Sequence, residues 1–333
     1  MKKTLIALAA VAATSASFAQ STVTLSGTLD VGLEKRYSGD PLRMTSNRNG
    51  TSNWTLSGAE DLGGGLKAVF QVSTSFNVDD GTAGGLSTGT TGTALGNNGM
   101  FVGLTGGFGT LRAGRPVNTL YGNAMFANGT KGVSLHDSNT VLAGLVANAG
   151  NSVYANNALQ YHTPRFAGFQ VQVEYAPSEL AGADAGMGLA VRYDAGPLSA
   201  SVTNYTGAGT AGSPATLSPK SVTQLAAAYD FKVAKVFFTY RDDGNKATTA
   251  DTGYALGVTA PVGPGAIYAS YNVIEQATND GRTIIAGYKY NLSKRTQAYV
   301  NVARRNAAYL NAAAPSPLNG STTGYGFGLQ HNF

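Results

Sequence analysis

Cysteine is absent from the 333-residue sequence, and charged residues make up only 12% of it. Without cysteine the chain forms no disulfides, so its stability must come from hydrogen bonding and packing. The sequence contains no stretch of ~18 consecutive apolar residues, the length that a transmembrane helix needs. Residence in a membrane would therefore depend on strands. The sequence has three histidines, no P-loop and no metal-ligand spacing, so it suggests no enzyme, cofactor or metal site.

The first nineteen residues have the pattern of a secretory signal peptide. Lys2 and Lys3 precede a short apolar run, Leu5–Ala13, and Ser17–Ala19 fits a cleavage site of small residues. The predicted organisation is a signal peptide, residues 1–19, and a single domain, residues 20–333. Without Lys2 and Lys3 the chain keeps 21 basic and 18 acidic side chains, a balance too mild for nucleic-acid binding.

The rest of the chain alternates apolar and polar residues. Val23 and Leu25 share one face of the first segment, and Thr24 and Asp30 share the other. Such segments recur sixteen times, and short turns alternate with longer Gly-, Ser- and Thr-rich connections. A soluble β-sandwich would also alternate, but aromatic residues near the strand ends favour a membrane barrel. The predicted fold is all-β: a 16-stranded antiparallel transmembrane β-barrel, closed because hydrocarbon tolerates no unpaired edge.

One connection, inside the stretch Thr110–Asn157, is much longer than the rest. About forty residues after Pro116 show no sustained period, and a loop of this length usually has a function. We expect a long constriction loop folded into the barrel lumen. A long surface loop is the alternative.

The last segment places Tyr325, Phe327, Leu329 and Phe333 on one face. This outward aromatic ending resembles the insertion signal of bacterial outer-membrane proteins, so we expect Phe333 to assist assembly.

Several motifs carry a resemblance to a known family. They are Val23–Gly27 (VTLSG), Gly58–Lys67 (GAEDLGGGLK), Leu111–Arg115 (LRAGR), Asn156–Pro164 (NNALQYHTP), Tyr193–Ser201 (YDAGPLSAS) and Tyr290–Thr296 (YNLSKRT). Together they resemble the Gram-negative general porins, in particular the trimeric outer-membrane porins of β-proteobacteria. The resemblance implies a homotrimer in the outer membrane, surrounded by lipid and lipopolysaccharide and inserted by the assembly machinery. It also implies passive diffusion of small hydrophilic solutes and anions.

In that family, acids on the constriction loop face arginines on the wall. Arg115 matches one of these arginines, whereas Asn53, Gly99 and Tyr154 stand where others are expected. Parity adds Arg112 on the lumen side. The candidate constriction residues are Arg112, Arg115, Lys131, His136, Asp137, Asn53 and Tyr154. The candidate lumen-wall residues are Asp30, Glu174, Arg192, Lys235 and Arg241.

These residues predict a modest anion preference that fades as salt rises, and a shift toward neutrality or cation preference when Arg115 is replaced by Ser. Arg115 could instead be a structural cation tied to loop carbonyls or to Asp137. A surface receptor or adhesin, or a barrel hydrolase, is the rival function. Asp79 and Asp80 are interpreted as a turn rather than a calcium site, because an oxygen cage needs six or more ligands.

Overall fold

The computed structural model describes residues 21–36, 38–83, 95–127, 153–178, 184–206, 221–242, 252–275, 280–306 and 322–333. These residues form seventeen strands and one helix. The strands are β1 (Thr22–Lys35), β2 (Arg43–Ser46), β3 (Asn53–Gly63), β4 (Leu66–Ser75), β5 (Met100–Gly106), β6 (Gly109–Arg115), β7 (Ala158–His162), β8 (Phe169–Ala176), β9 (Gly186–Ala195), β10 (Leu198–Thr206), β11 (Val222–Asp230), β12 (Lys235–Asp242), β13 (Thr252–Val262), β14 (Gly265–Glu275), β15 (Gly281–Asn291), β16 (Thr296–Arg305) and β17 (Thr322–Asn332). The helix is α1 (Thr119–Ala127).

All the strands belong to one antiparallel sheet that closes on itself. Consecutive strands pair along the chain, and β1 also pairs with β17. Both β2 and β3 pair with the same edge of β1, one beyond the other along its length. They therefore count as one strand of the wall, and the barrel has sixteen strands around its circumference. The predicted 16-stranded antiparallel barrel is confirmed. The sequence interpretation missed β2, which lies in a region assigned to a connection.

The two faces of the wall differ as the alternation predicts. On β1, Val23 and Leu25 are 64% and 61% exposed, whereas Asp30 is fully buried. Tyr325, Phe327 and Leu329 of β17 point outward, and Gly324 and Gly326 point inward and are buried. The outer face is therefore an apolar and aromatic belt suited to lipid, while the inner face carries the polar side chains.

Short turns lie at one rim of the barrel. Residues 64–65, 107–108, 196–197 and 263–264 each connect two adjacent strands in this way. We call this the short-turn rim, and the opposite end the long-connection rim; in outer-membrane barrels the short turns are periplasmic and the long loops extracellular. None of the helices in the described ranges is long and apolar enough to cross a bilayer.

The seam of the barrel is completed by Gly27 and Phe333. The backbone N–H of each donates to the carbonyl of the other at 3.0 Å. A side chain at Gly27 would collide with the Phe333 ring, because an added Cβ would lie 2.4 Å from Cζ. The glycine therefore leaves room for the ring.

We expect deletion of Phe333 to reduce the amount of folded protein in the outer membrane several-fold, because the seam loses two backbone hydrogen bonds in a medium without water to replace them. Unheated electrophoresis of outer-membrane fractions measures this. Export across the inner membrane should be unchanged, and undiminished insertion would remove the proposed role of Phe333.

Candidate functional site

Helix α1 lies inside the barrel, against the inner faces of β8 to β12. Asn118 caps its start, since the Asn118 side-chain oxygen accepts a hydrogen bond from the backbone N–H of Tyr121 at 2.7 Å. Leu120 is fully buried and packs with Tyr205 and Val222, whose side chains point inward from the wall. The first part of the long connection therefore occupies the lumen.

A single carboxylate anchors the beginning of this helix. Glu174 on β8 is fully buried. Its Oε2 accepts hydrogen bonds from the Thr119 backbone N–H at 2.8 Å, from the Thr119 hydroxyl at 2.9 Å and from the Gln160 amide at 2.6 Å. A carboxylate at a helix N-terminus also interacts favourably with the helix dipole. Glu174 is therefore an anchor for α1 rather than a group exposed to solutes.

Two more hydrogen bonds hold the helix to the wall. The Asn123 amide donates to Gln172 Oε1 at 2.9 Å, and the Gln224 amide donates to the Leu120 carbonyl at 3.1 Å. The remainder of the connection, residues 128–152, lies outside the described residues, and so do Lys131, His136 and Asp137. The prediction that the whole loop narrows the channel stays a prediction.

A second segment also enters the lumen. Val31 pairs with Ser46 and Thr28 pairs with Asn53, so the six residues Asn47–Ser52 leave the sheet opposite only two residues of β1. We call Asn47–Ser52 the inner bulge. Its contacts are with side chains that point inward from β1, β16 and β17.

The side chain of Asp30 holds the inner bulge in place through hydrogen bonds. Its Oδ2 accepts the backbone N–H groups of Asn49 at 2.5 Å and of Gly50 at 2.7 Å, and its Oδ1 accepts the Tyr299 hydroxyl at 2.8 Å. Asn49 in turn donates to the Gln330 side chain. This second buried carboxylate is thus also committed to structure.

The inner wall from β6 to β9 carries cations. Arg112 lies on β6 opposite Gln160 of β7, and Arg192 lies on β9 opposite Gln170 of β8. The Arg112 guanidinium lies 4.8 Å from the centre of the Phe101 ring. In the part of the chain that the structure describes, no carboxylate forms an ion pair with Arg112. Its positive charge is therefore available to the lumen.

The other two cations proposed for the lumen wall lie on β12. Lys235 is half-buried beside the short-turn rim, and Arg241 is fully buried on the same inward face. Helix α1 contacts β12. Of this pair, Lys235 alone is within reach of solutes.

Arg115 occupies a different place from the one the sequence suggested. It pairs with Met100 on the outward-facing register of β6 and lines an outer groove with Val72 and Val102. Its guanidinium donates to the Asn97 carbonyl at 2.7 Å and to the Asn156 side chain at 2.7 Å. This position corrects the expectation that Arg115 lines the constriction and corresponds to the alternative, a structural cation tied to loop carbonyls.

Tyr154 belongs to the same structural cluster. The Arg115 guanidinium lies 4.5 Å from the centre of its ring. Burial raises the pKa of Tyr154 to about 12, against the opposing effect of the Arg115 charge. The hydroxyl therefore stays protonated and donates to Asn98 Oδ1 at 2.6 Å. Tyr154 closes the base of the long connection, where Val117 pairs with it.

Asn53 and the Asp79–Asp80 pair have local roles. Asn53 points inward at the end of the inner bulge and donates to the Thr51 carbonyl at 2.7 Å. Asp79 accepts the Ser46 hydroxyl at 2.6 Å, and Asp80 accepts the backbone N–H of Thr82 at 2.9 Å. No group of three His, Cys, Asp or Glu that could hold a metal occurs within the described ranges.

The family profile described as Gram-negative porin matches residues 5–308 of the sequence. This chain belongs to the Gram-negative porin family. The porin is 35% identical to outer membrane porin protein 32 of Delftia acidovorans over 365 residues, covering 100% of both chains. It is 27% identical to an outer membrane porin of Bordetella pertussis, again covering 100% of both. Its fold matches the anion-selective porin from Comamonas acidovorans with a TM-score of 0.68 and 28% identity, over 94% of this chain and 100% of that one.

The predicted family and location are confirmed by these relatives, which are outer-membrane porins of Gram-negative bacteria. Porins are channels, and this family is not one of enzymes. The porin is thus an outer-membrane protein through which solutes pass.

Two charged residues of the inner side, Glu34 and Arg48, form an ion pair and were not among the candidate site residues. The alternation of β1 already puts Glu34 on the polar face, because it shares the parity of Asp30. Arg48 has no such signal, since the inner bulge follows no period.

Proposed function

We propose that this porin forms a water-filled channel for passive diffusion of small hydrophilic solutes and ions, with a modest preference for anions. The observation that carries the proposal is a difference in exposure on the inner wall, where several carboxylates are buried and two arginines are more open to the lumen. Four of the carboxylates on the inner side, Asp30, Glu34, Asp40 and Glu174, are buried. All four accept hydrogen bonds or ion pairs that hold the chain together.

Cations of the same wall are more open. Arg112 and Arg192 are half-buried and point into the lumen, and Arg112 rests on an aromatic ring. Rings of charged side chains set ion preference in pores. A relative described as anion-selective shares 28% of its sequence, which supports the same sign of selectivity here.

The proposal extends to maturation and assembly. Residues 1–19 are a signal peptide, and residues 20–333 form the barrel domain. The mature chain is inserted by the outer-membrane assembly machinery, contacts lipid and lipopolysaccharide, and functions as a homotrimer. The unheated electrophoresis used for Phe333 tests the trimer: a single band at monomer mass in the folded protein would contradict it.

Reversal potentials in planar bilayers test the anion preference. Across a KCl gradient near 0.1 M we expect chloride to be favoured over potassium by a few-fold. The preference should fall toward the ratio of free mobilities near 1 M, where the Debye length is only ~3 Å. Strong cation selectivity in the unmodified porin would contradict the proposed sign, and absence of stepwise conductance would contradict the channel itself.

A further inference from the structure

A cluster of four arginines lies on the inner face of the barrel at the long-connection rim. Arg36 follows β1, Arg43 lies on β2, Arg48 lies on the inner bulge and Arg305 ends β16. All four surround Glu34, which points inward from β1. We call these arginines the vestibule cluster.

The cluster presents positive charge to the solvent and hides its negative charge. The Arg36, Arg43 and Arg48 side chains are 39%, 38% and 28% exposed. Their carboxylate partners are covered, since the Asp40 and Glu34 side chains are 3% and 1% exposed.

The pairing within the cluster leaves an excess of cations. Arg36 Nε lies 3.1 Å from Asp40 Oδ2, Arg43 also pairs with Asp40, and Arg48 pairs with Glu34. Arg305 donates to the Arg36 carbonyl. The cluster and its two partner acids thus comprise four guanidiniums and two carboxylates, so the formal net charge of the group is positive.

Asp40 stays committed to this arrangement. Burial raises the pKa of the Asp40 carboxyl, but the hydrogen bonds and charges of Arg36 and Arg43 lower it by more, so that it lies below its ordinary value. Asp40 therefore remains ionised at neutral pH and holds two guanidiniums side by side.

The backbone that carries Arg48 is fixed in advance. The next two backbone N–H groups, those of Asn49 and Gly50, donate to the buried carboxylate of Asp30. A preorganised site spends little free energy on ordering its own groups when a ligand arrives.

We propose that Arg36, Arg43 and Arg48 form a docking site for small multivalent oxyanions, of the phosphate and oligophosphate class, at the outer mouth of the channel, with the buried Arg305 adding its positive charge. Guanidinium groups bind phosphate oxygens in pairs of parallel hydrogen bonds, and several of them on one face suit an ion with several charges. The inference rests on the proposed function, because it takes the long-connection rim as the entrance for anions. It goes beyond a general preference, since it names a site and a class of ligand.

Block of the chloride current by tripolyphosphate tests this site in planar bilayers. Tripolyphosphate is added to the side that the long-connection rim faces, and the concentration that halves the single-channel current is measured. In the unmodified porin we expect half-block at a lower concentration than from the opposite side. The variant Arg48→Gln should need about five-fold more tripolyphosphate, as expected for loss of one charge near the ligand.

A gain-of-binding variant separates docking from folding. Glu34→Gln removes a buried negative charge while keeping the shape of the side chain, so half-block should need about five-fold less tripolyphosphate. A misfolded vestibule would not bind more tightly. The matched control is Arg304→Gln, because Arg304 is exposed on the outward face of β16 beside the inward-facing Arg305.

Each result decides the proposal separately from the channel function. Equal block of the unmodified porin and of both the Arg48 and Glu34 variants would overturn the docking site, even with the chloride preference intact. Absence of any block in the unmodified porin would overturn it as well. A change caused by Arg304→Gln as large as that caused by Arg48→Gln would show that only distant charge matters, which also overturns the docking site. Loss of the chloride preference itself, measured without tripolyphosphate, would count against the proposed function instead.

Discussion

Replacing Glu174 by alanine should release helix α1 from the wall and make the channel both larger and noisier. The substitution removes the acceptor of the Thr119 and Gln160 hydrogen bonds. Each buried donor left without a partner costs about 1–3 kcal/mol. Because a helix with its side chains is about 10 Å across, its departure should raise single-channel conductance roughly two-fold.

Single-channel recording measures this effect, and the electrophoretic behaviour of the folded barrel should hardly change because the ladder of strands is untouched. Glu275→Ala is the matched control, since Glu275 is an exposed acid at the end of β14 that accepts a hydrogen bond from Thr252. A quiet current of normal size in the Glu174 variant would show that α1 is held by other contacts. Glu174→Gln should have an intermediate effect, because the amide keeps the shape but loses the charge at the helix start.

Replacing Arg112 by serine should remove most of the few-fold preference for chloride, as removal of one charge close to the ion path predicts. Arg112 points into the lumen, and no carboxylate pairs with it among the residues described. Glu at this position should reverse the preference. Reversal potentials across a KCl gradient give the chloride-to-potassium permeability ratio directly.

Arg115→Ser is the control for this experiment. It should change the chloride-to-potassium permeability ratio less than two-fold, because Arg115 is far enough from the lumen for salt to screen its charge. Arg115 lies three residues further along β6, yet it contacts the Asn97 carbonyl and the Tyr154 ring on the outward register. This expected small effect replaces the expectation drawn from family resemblance, in which Arg115→Ser would shift the channel away from anion preference. If the Arg115 variant shifted the ratio more than the Arg112 variant, the assignment of the two residues to opposite faces would be wrong.

The alternation along single strands was enough to predict the barrel. Val23 and Leu25 against Thr24 and Asp30 fix which face meets lipid, since side chains in a strand alternate strictly. The same rule puts Arg112 and Arg115 on opposite faces, so parity was the better guide where it disagreed with resemblance. Local sequence is sufficient here because every strand has the same two environments.

Features inside the lumen could not be predicted in this way. Helix α1 contains Gly122 and Asn123 and has no apolar stripe. Its surroundings are mixed, since it contacts polar side chains of the wall as well as the small apolar cluster that includes Leu120. Its cap, Asn118, is of a residue type that favours helix starts, but it lies in a stretch without a sustained period. The inner bulge depends on Asp30, which is distant in sequence, so no window of neighbouring residues contains both partners.

The buried carboxylates have a consequence for the conditions in which the porin operates. Salt screens exposed charges strongly and buried, hydrogen-bonded ones much less. Asp30 and Glu174 fix the shape of the passage from within the wall, whereas Arg112 acts on ions from its surface. At low ionic strength we therefore expect the proposed channel to sort solutes by both charge and size. At high ionic strength we expect it to sort them by size alone, with an unchanged bore.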